Sequence, residues 1–291
     1  MSIDNILRNI SDEEIDAFAL RDDEMILAVR GFGASIDISR AEAAGFDFVL
    51  IDSGAPERPV GGDALSQAAY AMARTTHIGL AVQISTDWAP YNVARALASF
   101  DLLSGGRLGW EPVRPGDQSE AAFLEHIDIV HALFDTWDDD ALVFNKETSI
   151  FADHAKVRRI QHNGAYYSVD GPLNAPRPIQ GHPVLFARSD ALCADIAFAA
   201  NNAQEWSKAA KVMYETAIHG NAERSTREAF EIVRAQKFDG VCFSVSGFGE
   251  FHALIHAIES SDIAKNVWRD TISLRTRLGL ARPINQFAVT S

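Results

Sequence analysis

From His77 to Trp110 the apolar positions change their period in a way that spells out a folding unit. Ile78, Leu80, Val82 and Ile84 recur at every second position with small residues between them, which predicts a strand covered on both faces. From Pro90 the spacing becomes three and four, with Val93, Leu97 and Phe100 joined by Ala94 and Ala98, which predicts an amphipathic helix. Ser104-Gly105-Gly106 stops it, because glycine takes the left-handed cap without a Cβ clash, and Arg107-Leu108-Gly109-Trp110 opens the next strand. Strand, helix, strand is the repeating unit of a parallel α/β fold.

The same reading predicts further strands at Met25–Val29, Phe46–Ile51, Arg107–Val113, Pro183–Ala187, weakly at Val212–Tyr214, and at Val241–Val245. Helices are expected near Ser35–Ala44, at Glu120–Phe134, where Phe123, Ile127, Val130 and Phe134 share a side, and at Phe248–Ser260 and Ile263–Leu278. Asn163-Gly164 lies between Arg158–His162 and Ala165–Val169 and predicts a β-hairpin interrupting the α/β rhythm after the fourth strand. No internal repeat, low-complexity linker or domain boundary stands out, so residues 1–291 read as one domain with an insertion at about 138–182.

Composition narrows the function classes. The chain has 291 residues, 47% of them hydrophobic, enough for one sizeable core. No apolar run approaches the roughly 18 residues that would span a bilayer, and the acidic N-terminus lacks a signal-peptide layout. A net charge of −14 disfavours nucleic acid and anionic membranes as partners. Cys193 and Cys242 lack CxxC spacing and suit reduced thiols in a cytoplasmic protein.

Several motifs compete for a chemical role. Gly31-Phe32-Gly33, about twenty residues before Asp52, imitates a dinucleotide-binding turn, but Ile36 stands where its third glycine belongs. His252 and His256 could share a metal from one helix face; with Ala253 after His252 and no third ligand nearby, packing or surface histidines are favoured. The run Asp138–Asp140 reads as a solvated loop or helix cap, and Cys193 as a small buried side chain on a helix. No residue declares itself catalytic.

A longer pattern carries more. Ile78–Leu80, Ser85-Thr86, Pro90–Asn92, Ala94-Arg95, Ala98-Ser99, Asp101 and Leu103–Trp110 follow one another in an order that resembles the bacterial-luciferase-like flavin monooxygenases, in their nitrilotriacetate and dibenzothiophene-sulfone monooxygenase branch. Leu133–Ala141, Gly171–Val184 and Leu274–Pro283 fit the same pattern in the same order. The resemblance implies a TIM-like (β/α)8 barrel, an FMN-dependent monooxygenase acting on a small organic molecule with O2, reduced FMN delivered by a separate reductase, and a homodimer. It places cofactor-binding roles on Asp52 at the end of the second strand, Gln83 and Ser85 at the end of the third, and Arg188 and Ser189 after the fifth. In such barrels ligands sit at the C-terminal ends of the strands.

The chain also departs from the family's pattern. Glu111-Pro112-Val113-Arg114 replaces an Asn-hydrophobic-Val-Thr run, the phosphate-site glycine is missing around Ala187–Ala191, and the family's His-x-x-x-Tyr pair has no counterpart beside His126 and His131. A strand is wanting between Ala187 and Val212, where Ala199–Lys211 reads as polar and helix-prone, so the barrel is expected to be incomplete, patched by a helix or closed by a partner. Phe144, Phe151, Tyr166 and Tyr167 either line a pocket or cover the barrel side, with the structural role favoured. Two functions stay open: a flavin monooxygenase, or a non-catalytic relative kept as a flavin- or other ligand-binding or oligomerisation scaffold; whether FMN binding is kept or lost stays open as well.

Overall fold

The computed structural model describes residues 25–32, 35–53, 63–188, 193–200, 208–260 and 273–287. The first half repeats strand and helix four times: β1 (Ile26–Phe32), α1 (Ile38–Ala44), β2 (Phe48–Asp52), α2 (Ala64–Met72), β3 (Gly79–Ser85), α3 (Pro90–Ser104), β4 (Leu108–Val113) and α4 (Glu120–Phe134). Two small hairpins follow, β5 (Leu142–Asn145) with β6 (Ile150–Ala152) and β7 (His162–Asn163) with β8 (Ser168–Val169). The rhythm resumes with β9 (Val184–Ala187), β10 (Ile196–Ala199), β11 (Lys211–Ala217), α5 (Ala222–Gln236), β12 (Gly240–Ser244), α6 (Phe248–Glu259) and the short α7 (Leu274–Arg277).

Eight of these strands close into a parallel barrel in the order β1-β2-β3-β4-β9-β10-β11-β12, with β12 pairing back onto β1. The expected gap is therefore filled. The missing strand is β10, four apolar residues that pair with β9 through Ile196↔Phe186 and with β11 through Ile196↔Lys211 to Ala199↔Tyr214. It lies just before the polar stretch that obscured it. Closure follows from hydrogen bonding, since a barrel short of a strand would leave two rows of backbone groups unpaired.

Period-two alternation sorts the strand residues into two apolar layers. Leu27, Val29, Val49, Ile51, Leu80, Val82, Leu108 and Trp110 point outward into a core shared with the helices. Ile26, Ala28, Phe48, Leu50, Ala81, Phe186, Phe198, Met213 and Cys242 form the separate inner cluster. Leu274, Leu278 and Leu280 join that inner cluster from below and close its floor. Glycines make room: a Cβ on Gly79 would come within 2.6 Å of Leu274 and one on Gly109 within 2.5 Å of the Phe186 ring. Gly105, at φ 71, ends α3 as its sequence predicts, donating its N–H to Asp101 and Leu102.

Other expectations need adjusting. The hairpin at 158–169 exists, but its strands are only two residues long and pair as His162↔Val169 and Asn163↔Ser168, so Gly164 to Tyr167 form a wider turn. The Glu125 carboxylate explains this. It accepts from the backbone N–H of Tyr167 at 3.0 Å and of Tyr166 at 3.2 Å, and contacts His162 Nε2 at 2.9 Å. The apolar pattern predicts neither α2 nor α5, and of the expected helix at Ile263–Leu278 only Leu274–Arg277 falls among the described residues as helix. Cys193 is exposed and outside any helix, which corrects its assignment as a buried helical side chain. Asp138–Asp140 is no free loop: Asp138 pairs with Arg158, Asp139 with Arg177 and Arg282, and Asp140 with Lys156.

At the seam between β12 and β1 the strands leave no room for a side chain, because a Cβ on Gly240 would lie 2.2 Å from the Ile26 carbonyl oxygen. Gly240→Ala is expected to cost about 1–3 kcal/mol by overpacking. Gly116→Ala, where nothing lies within 4 Å, should stay within about 0.5 kcal/mol. Urea unfolding of both variants checks this, and equal midpoints would refute it.

Candidate functional site at the barrel mouth

The fifth residue of β1 is Arg30, and alternation turns it into the barrel. It is 2% exposed, and its guanidinium sits among carboxylates from three other strands. Nη1 donates to Asp52 Oδ1 at 3.0 Å, and Nη2 donates to Glu111 Oε2 at 2.6 Å. Nε lies 3.0 Å from Glu215 Oε1, a charge contact without hydrogen-bond alignment. The guanidinium carbon stands 4.9 Å from the centroid of the Phe198 ring, which stacks on Phe186. Arg188, half-exposed after β9, completes the cluster: it bonds both oxygens of Glu215 and approaches Glu111 at 3.7 Å.

The electrostatics follow from this packing. Burial opposes the charge on Arg30, but Glu111 and Glu215 outweigh it and raise the guanidinium's affinity for its proton. Burial lifts the Asp52 carboxyl above its usual range, with Arg30 pulling the other way. Cys242, beneath the cluster, is pushed far up by burial and by Glu215, so it is an inert thiol. Among the described residues, three carboxylates stand against two guanidiniums in this cluster.

The sequence-expected site residues divide accordingly. Asp52 and Arg188 do come together at the mouth, each held by another side chain. Gln83 stands beside Glu111 in register, and its Oε1 accepts from the Ser53 N–H at 3.3 Å. Ser85 is occupied locally, donating to Asp87 Oδ2 at 3.0 Å and accepting from the Asp87 N–H at 3.2 Å. Ser189 lies outside the described residues. Sequence reasoning misses Arg30 and Glu215. A charged residue at an inward parity in each strand was the available signal.

Beside the mouth, the loops after β3 and β4 and the β7–β8 hairpin enclose an open cleft of about 760 Å³, walled by Trp88, Tyr91, Tyr167 and Gln118. Thr86 donates to Gln118 at 2.6 Å, and Gln118 donates to the Tyr167 hydroxyl at 3.0 Å. His126 lies behind this wall, its Nε2 2.9 Å from the Trp88 carbonyl, and burial lowers its pKa. His131 is elsewhere, stacked on His182, and is pushed down to about 3 by burial and by that neighbour. Tyr167 is thus the one pocket aromatic of the four expected; Phe144 and Phe151 pack edge-on against each other on the outer hairpin, and Tyr166 is exposed. His252 and His256 face Arg40 and Glu223 on the surface. No helix among the described residues is long and apolar enough to cross a membrane.

A sequence model of the luciferase-like monooxygenases matches residues 38–239. The chain is also 34% identical over 263 residues to a component of the Pristinamycin IIA synthase of Streptomyces pristinaespiralis, covering 87% of this chain and 91% of that one. It belongs to the luciferase-like monooxygenase family. Dibenzothiophene-sulfone monooxygenase of Rhodococcus erythropolis is 41% identical over 137 residues, 41% of this chain but only 30% of that protein's length. Long-chain alkane monooxygenase superposes with a TM-score of 0.74 at 15% identity, over 88% of this chain and 95% of that one, and so shares the barrel architecture.

The family implies a flavin, and the described residues at the mouth of this luciferase-like barrel do not fit one. An isoalloxazine ring needs an open face to lie against, and its phosphate needs free donors, either cationic side chains or backbone N–H groups at a helix start. Here the inward positions hold ionised groups already paired with each other, and both arginines are engaged by carboxylates.

Arg30→Leu is expected to lose about 3–5 kcal/mol near pH 8, the penalty for leaving buried charges unpartnered. With Arg30 gone, the clustered carboxylates hold protons to higher pH than in the unfolded chain. The folded variant then binds more protons above about pH 4, so its stability rises as pH falls through that window. Denaturant melts at pH 8 and pH 5 test this, and a deficit that does not shrink at pH 5 would rule it out.

Proposed function

We propose that this chain is a component of a flavin-dependent monooxygenase that places one atom of O2 into a small organic molecule, with reduced flavin delivered by a separate reductase. The observation that carries the reading is the near end-to-end match to a protein named as one component of a synthase. Another component of that synthase is 33% identical over 101 residues, 29% of this chain. Reduced flavin supplies the electrons that activate O2. This chain's own contribution is the open cleft beside the mouth, whose Trp88, Tyr91 and Tyr167 faces suit an organic ligand's apolar surface. We further infer a homodimer or a paired assembly with a second family member, in the cytoplasm.

A second reading is favoured by one specific observation, the ion cluster that fills the mouth: a scaffold component with no chemistry of its own. Isotopically labelled O2 separates the two. With a flavin reductase, the chain and a co-expressed second family member, label is expected in an organic product, and Trp88→Ala should reduce its yield at least tenfold. Label recovered only as peroxide or water in every combination would sink the monooxygenase reading and leave the scaffold.

A further inference from the structure

We propose that Arg30 and Glu111 form a built-in plug that keeps flavin out of this chain's own barrel mouth. The proposal rests on the monooxygenase reading above and says where, within that enzyme, the cofactor is not held.

The plug is assembled from strand positions. Arg30 is the last but two residue of β1, in register with Ser244 of β12 on one side and Leu50 of β2 on the other. Glu111 is the fourth residue of β4, in register with Gln83 of β3 and one residue beyond the last β4–β9 pair, Trp110↔Leu185. Their side chains are 3% and 5% exposed and meet at 2.6 Å. The aromatic face a ring would stack upon, Phe198, is already covered by the Arg30 guanidinium. Of the expected cofactor contacts at the mouth, Asp52 and Arg188 are already engaged by Arg30 and Glu215, and Gln83 accepts from the Ser53 N–H.

A flavin entering here would have to part the Arg30–Glu111 pair inside a low-dielectric barrel and leave each charge without its partner. Breaking such a pair weakens binding by roughly a hundredfold to several thousandfold. Within the described cluster the carboxylates outnumber the guanidiniums, which also opposes a phosphate beside them. Pro112, next in β4, has no N–H to offer an incoming carbonyl. Charge, sterics and hydrogen-bond supply all act in the same direction.

The test is a flavin titration of the intact chain, read by quenching of flavin fluorescence and, anaerobically, by the absorbance of photoreduced FMN. The wild-type chain is expected to show no saturation up to near-millimolar FMN. Arg30→Ala/Glu111→Asn removes one charge of each sign, so the cluster's balance is kept while the mouth opens. This variant is expected to bind FMN at least a hundredfold more tightly, with circular dichroism confirming its fold. If it fails to fold, Arg30→Gln/Glu111→Gln keeps most of the bulk while deleting both charges and is expected to gain at least tenfold.

Saturation of the wild-type chain at micromolar FMN would overturn the plug, as would a folded double variant no tighter than wild type. These outcomes are separable from failure of the monooxygenase reading. A wild-type chain that binds flavin and incorporates labelled oxygen sinks the plug and keeps the enzyme. Label incorporated with a wild-type chain that takes up no flavin supports both.

Discussion

A guanidinium inside a closed eight-stranded cylinder is the constraint around which the upper half of this molecule is arranged. Arg30 is 2% exposed at its inward position, so its charge must be satisfied by its neighbours. Arg30 draws one carboxylate from each of β2, β4 and β11, and thereby ties strands on different sides of the barrel to one another. Ser244 adds a bond to Glu215 at 2.9 Å, and Arg188 closes the rim from β9. Such pairs contribute less to net stability than to making one arrangement far better than its alternatives, because any single partner's loss strands the rest.

Below that layer the barrel is held apolar, and below the apolar layer a second polar network closes the floor. Gln180 donates to Asp101 at 2.6 Å and to the Leu108 carbonyl at 2.7 Å, and accepts from the Arg275 N–H at 2.8 Å. Burial raises the Asp101 carboxyl to about 6 despite the Gln180 bonds that favour its charge. Arg275 grips Asp195 with two bonds, and Arg177 joins Asp135 to Asp139. Here burial is outweighed by Arg282 and Arg177, which hold Asp139 near 2. The molecule therefore carries its charge pairs at both ends and its oil between them.

This layout explains what could be read from the residue order. The four segments that betrayed the family, around Asp101, Asp135, Gln180 and Arg275, are the ones that meet at the floor and flank, where the fold is held together. They identify the barrel, but none of them contains Arg30, Asp52, Glu111 or Glu215. Strands with strict alternation, such as β3, were legible for the same reason: their period is local. The mouth was not, because Arg30 finds Asp52 and Glu111 at separations of 22 and 81 residues, and pairing at such range leaves no periodic trace. In ILAVRGF an arginine looks like a lapse in a strand until closure brings the acids to it. The strand β10 was hidden by brevity, four residues giving too little alternation to separate from a buried helical turn.

One consequence concerns how the chain reaches this state. Leu274, Leu278 and Leu280 fill the base of the cylinder, yet they follow all eight barrel strands in the chain, and Leu274 is anchored by its N–H to the Gly106 carbonyl at 2.8 Å, far back in the sequence. During synthesis all eight strands emerge from the ribosome before their stopper does. Until it arrives, Ile26, Phe48 and their neighbours line a greasy funnel open to water, a nascent form that invites chaperones and penalises any pause late in translation.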